Sequence, residues 1–275
     1  MEQIEAKTQW HPAFCSAMKL ELIENREDLI YQSEYNLNKK PIAIDLLVIK
    51  KTSDIEISNE IGRIFKGSNL LEYKSPADHL NIDTFFKGLA YACLYKAGGS
   101  RTNEIGADDI SLSFVRENMP HKLFKILREM GYTIDNTYPG IYYVYGVMVF
   151  AIQVLVTGEL DPDEHIWLSS LTENLASDNA EKIILKTQTL SWKEDQENAD
   201  SVLQVVVSKN KDLFRKKKEA AENMCEALRE LMQPEIDREI AEAVDAAVAE
   251  KDAKLKKQEE EIRLLKEQLA VANCK

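Results

Sequence analysis

The sequence predicts a mixed α/β body that carries a long helical tail. Three observations lead there. Pro41-Ile-Ala-Ile-Asp-Leu-Leu-Val-Ile49 is a nearly continuous apolar run of strand length, the pattern of a strand covered on both faces. Segments with helical spacing and helix-end signals alternate with further strand-length runs. All the glycines and every proline except Pro234 lie before residue 211, so the composition changes there.

The elements follow in order. From Pro12 to about Arg26, Phe14, Met18 and Leu22 recur every four residues, with Pro12 suited to a first helical turn. Tyr31–Leu37 reads as a strand, then comes the apolar strand 41–49. Asn69-Leu-Leu-Glu-Tyr-Lys74 is a third strand, stopped by Ser75-Pro76. A helix is expected from about Ile82 to Lys96, ending at Gly98-Gly99. A strand over Ile110–Val115, a helix over His121–Met130 stopped at Gly131, and β segments through Val156 come next. The apolar run Ile141–Val156 is short for a membrane span and is interrupted by Gly146 and Gln153, so it reads as a hairpin turning near Tyr145-Gly146. Asp161-Pro-Asp-Glu, with a capping residue, a proline and acids in a first turn, opens helices filling 162–207.

In the tail, Ala241, Val248, Leu255, Ile262 and Leu269 recur every seven residues, with Val244, Lys251, Gln258, Leu265 and Ala272 as companion positions. This is a heptad seam with two polar interruptions, and the expectation is a self-associating left-handed coiled coil over 236–272. A long solvated helix is the competing reading.

At 275 residues the chain holds one or two domains. The expected division is a core over 1–160, a helical extension over 161–210 and the tail over 211–275. Thirty-five basic residues stand against 47 acidic ones, a net charge of −12. The tail carries 14 and 16 of these, so most of the acidic excess belongs to the body. Such a balance argues against a protein that coats nucleic acid by bulk charge, but leaves room for contact through one local metal site. The four cysteines form no Cys-x-x-Cys pair, which suits a reducing cytoplasm. The first residues lack a basic stretch followed by an apolar one, so no signal peptide and no membrane partner are expected.

Asp45 stands in the middle of the most apolar strand, where a charge is costly unless paired or bound to a metal. Glu72 and Lys74, two apart on the next strand, project from one face. If the strands are neighbours, two carboxylates and an ammonium converge, a donor set for Mg2+ or Mn2+ beside a group that serves an attacking water. Glu21 borders the apolar face of the first helix and can reach the sheet, with Glu24 as the competing acid.

The order of helix with Glu21, strand with Asp45, strand with Glu72-x-Lys74 and helix resembles the PD-(D/E)XK nuclease superfamily. Trp10-His-Pro-Ala-Phe14, Lys40-Pro-Ile-Ala-Ile-Asp-Leu-Leu-Val-Ile-Lys50, Ile61-Gly-Arg-Ile-Phe65, Leu71-Glu-Tyr-Lys-Ser-Pro76 and Tyr91-Ala-Cys-Leu-Tyr95 further resemble a prokaryotic group of that superfamily near the recombination-promoting nuclease/putative transposase proteins. The resemblance covers about residues 10–190. It implies a restriction-endonuclease-like core, a mixed central sheet flanked by helices, over 1–160. It implies a DNA endonuclease in a mobile-element, recombination or defence setting, with RNA as a further possible substrate. Glu21, Asp45, Glu72 and Lys74 would be the catalytic set, with Asp45, Glu72 and the backbone carbonyl of Tyr73 as metal ligands. Ile44 stands where the pattern often has proline.

Lys39-Lys40, Lys50-Lys51 and Lys66 flank these residues in sequence and are candidates for phosphate contacts, foremost Lys40, Lys50 and Lys66; solvated strand ends are the equal alternative. Arg215-Lys-Lys-Lys218 reads as a solvated helix face. Lys87 and Tyr91 rank low as auxiliary residues on the helix after Glu-x-Lys. His11, His79, His121 and His165 have no metal-ligand spacing and read as caps, surface groups or packed rings. A different function class also fits: a non-cleaving interaction protein that keeps the nuclease fold as a scaffold and oligomerises through the coiled coil.

Overall fold

The structure is a computed structural model and describes residues 10–36, 43–52, 55–147 and 149–220. Seven strands form one mixed sheet in the order β1-β2-β3-β4-β7-β6-β5. Strands β1 (Leu29–Asn36), β2 (Ala43–Lys50) and β3 (Ser68–Lys74) make an antiparallel meander. Parallel neighbours need a crossover, and α2 (Ile82–Ala97) carries the chain from β3 to β4 (Ile110–Arg116). Helix α3 (His121–Glu129) leads to β5 (Thr133–Tyr138), β6 (Ile141–Tyr145) and β7 (Ala151–Val156), and β7 returns to lie parallel beside β4. The run Ile141–Val156 is therefore an antiparallel β6–β7 pair.

One face of the sheet is covered by α1 (Trp10–Glu21), which packs on β2 and on α4 (Ile166–Ser169) and α6 (Lys193–Lys209). Phe14, Met18 and Leu22 are all buried there, as their spacing requires. Phe14 stacks on Tyr73 of β3 with ring centroids 4.7 Å apart. The helix is shorter than its apolar repeat suggests. It stops at Glu21, and a 3-10 segment, Ile23–Asp28, leads into β1. On the opposite face Leu47, Leu70, Leu112 and Phe114 join Phe85 and Leu89 of α2 and Leu123, Phe124 and Leu127 of α3 in one core cluster.

Helix ends follow local chemistry. The Asn81 side chain accepts the Thr84 N–H at 2.9 Å and starts α2. Gly131, at φ +88°, closes α3: its N–H goes to the Arg128 carbonyl and that of Tyr132 to Leu127, the paired bonds of a Schellman motif. Gly98 ends α2 differently, staying right-handed at φ −79°. After Asp161-Pro162 the chain makes a turn, with the Asp161 carbonyl accepting from Glu164 and His165, before the single turn of α4. Then come α5 (Ser177–Gln188), α6 and α7 (Lys211–Ala220). Among the described residues no helix is long and apolar enough to cross a membrane. The heptad segment 236–272 lies outside the described residues, as do Lys39 and Lys40.

Candidate functional site

The β2–β3 ladder runs from Ile49–Ser68 to Leu46–Leu71 and ends there. Continuing the register would set Ile44 opposite Tyr73 and Asp45 opposite Glu72. Instead the two strands open, and the Tyr73 N–H donates to the Asp45 Oδ2 at 2.8 Å. A side-chain carboxylate thus takes the place of a ladder carbonyl, which answers how an acid is tolerated in so apolar a strand. Across β3 the parallel register sets Glu72 beside Phe114 and Lys74 beside Arg116. Paired residues share a face, so Glu72, Lys74 and Arg116 belong to the side that α2 covers.

Asp45, Glu72 and Lys74 are brought together at this fork. Lys74 Nζ donates to Glu72 Oε1 at 2.8 Å, and Glu72 is buried. Burial pushes the Asp45 carboxyl up to about 6, and the Glu72 charge adds to this. The Tyr73 N–H, His11 and Lys74 pull the other way without cancelling it. The half-buried fork thus disfavours the Asp45 charge, and a divalent cation placed there would favour it.

Other groups surround the fork. His11 Nε2 lies 3.7 Å from Asp45 Oδ1, and its ring meets Tyr73 edge-on. The Cys15 thiol donates to the Asp45 carbonyl at 3.6 Å. His11, Pro12, Cys15, Ser16, Lys19 and Ser33 line a cleft of about 300 Å³ beside Asp45. In the turn after β3 the Ser75 hydroxyl donates to Asp78 at 2.7 Å and holds that carboxyl below its usual range, aided by Lys74 and His11. On α2, Lys87 Nζ lies 5.2 Å from the centre of the Tyr91 ring: its hydrogen bond with Tyr91 raises its pKa against burial, and the charges of Glu72 and Asp45 add to the shift.

Glu21 is held elsewhere. It ends α1, six residues beyond Cys15, hence about 9 Å further along the helix axis from the Asp45 contact. Its Oε1 accepts the Leu168 N–H at 3.0 Å, and its Oε2 lies 3.3 Å from His165 Nδ1. His165 Nε2 is 3.5 Å from Glu60, so a buried ring bridges two carboxylates. Burial opposes a charge on this imidazole, but the bonds to Glu21 and Glu60 outweigh it and raise its pKa. Glu24 is exposed and accepts from the Ser58 hydroxyl at 2.8 Å.

Lys50 ends β2, five residues from Asp45, which places it about 17 Å away along the strand. Its N–H bonds the Gly67 carbonyl, and the Lys66 N–H bonds Asn69, so both lysines lie at the far end of β2 and β3 from the carboxylates. They flank the acids in sequence but not in space, because antiparallel strands carry residues beyond a turn away from the opposite end. Lys40 lies outside the described residues.

As metal donors, the fork offers Asp45 Oδ1 and Glu72 Oε2, the oxygens that Tyr73 and Lys74 leave over. Carboxylate oxygens of this kind suit a cation that keeps several waters. Among the described residues no three His, Cys, Asp or Glu side chains are grouped as for a metal ion. Comparison of the chain with family models, with curated proteins and with solved structures found no match.

Proposed function

We propose that this chain hydrolyses DNA phosphodiester bonds with magnesium or manganese, in the manner of a PD-(D/E)XK endonuclease, at Asp45, Glu72 and Lys74. The observation that carries the proposal is the strand fork. Two carboxylates and a lysine from neighbouring strands share it, and Asp45 is driven toward its neutral form by burial and by Glu72. The order of α1, an antiparallel three-strand meander and a crossover helix to a parallel β4 supports the same reading.

Asp45, Glu72 and the Tyr73 carbonyl would hold the cation. When bound, the cation supplies Lewis-acid polarisation of the phosphoryl oxygen and a water of lowered pKa. The Tyr73 N–H fixes the Asp45 carboxyl in orientation. Lys74 keeps two N–H donors beyond the one given to Glu72, and these orient the attacking water and stabilise the charge that develops on the phosphate. Self-association through residues 236–272 brings two single-cut sites together for double-strand cleavage. Glu21 belongs in this account as the residue that secures the end of α1 against α4, and so positions the helix carrying His11 and Cys15.

Nicking of supercoiled DNA tests the proposal. With magnesium or manganese the wild type should nick, and Asp45→Ala and Glu72→Ala should reduce the rate by about 10²–10⁴-fold. Isothermal titration should show metal binding to the wild type and its loss in both variants. No cleavage with either metal, together with no metal binding, defeats the proposal and favours the non-cleaving scaffold.

A further inference from the structure

We propose that Arg116 is a phosphate-binding residue, gripping the non-bridging oxygens of a DNA phosphate beside the one that is cut; this rests on the nuclease reading of the fork. Arg116 closes β4 and pairs in register with Lys74. Parallel strands lie about 4.8 Å apart, so its side chain leaves the sheet one strand over from Lys74 and on the same face.

Its hydrogen bonding is incomplete. The Arg116 Nε is buried and, among the described residues, has no hydrogen-bond partner. The acid next to Arg116 in sequence, Glu117, accepts a hydrogen bond from the Thr172 hydroxyl. The lysine beside it is bonded to Glu72. Burial lowers the Arg116 pKa, and the charge of Glu117 opposes this without cancelling it. A guanidinium stays charged in such a place and presents a planar fork of donors that matches two phosphate oxygens. The neighbourhood supplies the need as well. Asp45 and Glu72 repel an incoming polyanion, and a cation one strand away offsets that repulsion where Lys74 is already engaged. Lys74 then serves Glu72 and the attacked phosphate, and Arg116 the phosphate beside it.

The test is equilibrium binding of the full chain to a short fluorescein-labelled DNA duplex, read by anisotropy over a range of NaCl, with calcium in place of magnesium. Arg116→Met should weaken binding about tenfold near 0.1 M NaCl and lower the slope of log affinity against log salt by about one. Arg116→Lys should keep the slope but recover only part of the affinity, because an ammonium lacks the fork. Thermal unfolding of both variants identifies those that fold, and the lysine variant carries the test if the methionine one does not. If the wild type binds and nicks DNA while a folded Arg116→Met, or a folded Arg116→Lys in its absence, matches the wild type in affinity and salt slope, this inference fails alone. If the wild type neither binds nor nicks the duplex, the nuclease reading fails and takes the inference with it.

Discussion

At the scale of single residues, Asp45 and the pair Glu21–His165 tie stability to pH. A carboxyl whose folded pKa is about 6, against an ordinary 3.8, binds its proton more tightly in the folded state. The stability linked to that proton is present below the ordinary value and is lost as pH rises through about 6. Each unit is worth about 1.4 kcal/mol, and partial exposure of the group reduces the total, so the ionised carboxylate costs on the order of 1–2 kcal/mol. Asp45→Asn should therefore raise the melting temperature at pH 7.5 and leave it nearly unchanged at pH 4. Magnesium should stabilise the wild type at pH 7.5 and not Asp45→Asn, with affinity falling roughly tenfold per unit below about pH 6 as protons compete. His165 has a raised pKa, so its contribution is full below the ordinary imidazole value and fades as pH rises through the folded one. Removing one partner of a buried pair leaves the other uncompensated. Glu21→Gln should cost about 2–3 kcal/mol at pH 6 and less at pH 9, measured by urea unfolding.

At the scale of elements, the fork exists because β2 and β3 stop pairing at Leu46–Leu71, and α2 lies close on the face that Glu72 and Lys74 share. Gly88 allows that approach: a Cβ there would come within 2.6 Å of the Phe114 ring. Gly88→Ala should lift α2 from β4 and cost about 1–3 kcal/mol in thermal unfolding. Much of this architecture is legible in the sequence. The apolar run 41–49, Glu72-x-Lys74 and the capped helix after it describe β2, β3 and α2 to within a residue or two, because strand alternation and helix caps are local. What escapes local patterning is contact between distant segments. Glu21 looks free to reach the sheet, but its partners, Leu168 and His165, lie well over a hundred residues away. Lys50 and Lys66 flank the acids in sequence, yet the antiparallel register carries them to the other end of the strands. Arg116 gains meaning only from its parallel register with Lys74.

At the scale of the whole molecule, a net charge of −12 sets the terms for any encounter with DNA. Association cannot rest on bulk attraction, so on the proposed reading it should be weak and salt-sensitive in chelator. The heptads of 236–272 are expected to pair two chains: the full chain should sediment as a dimer or higher oligomer, and a chain ending at residue 220 as a monomer. The stability linked to Asp45 and that linked to His165 both decline as pH rises, so the chain should be more resistant to urea near pH 5 than near pH 8. The most direct test of the central claim is nicking of supercoiled DNA by purified wild type and Asp45→Asn side by side in magnesium. The account predicts open-circular and linear products from the wild type and none from Asp45→Asn, which keeps the fold. Equal cleavage by both proteins would contradict it.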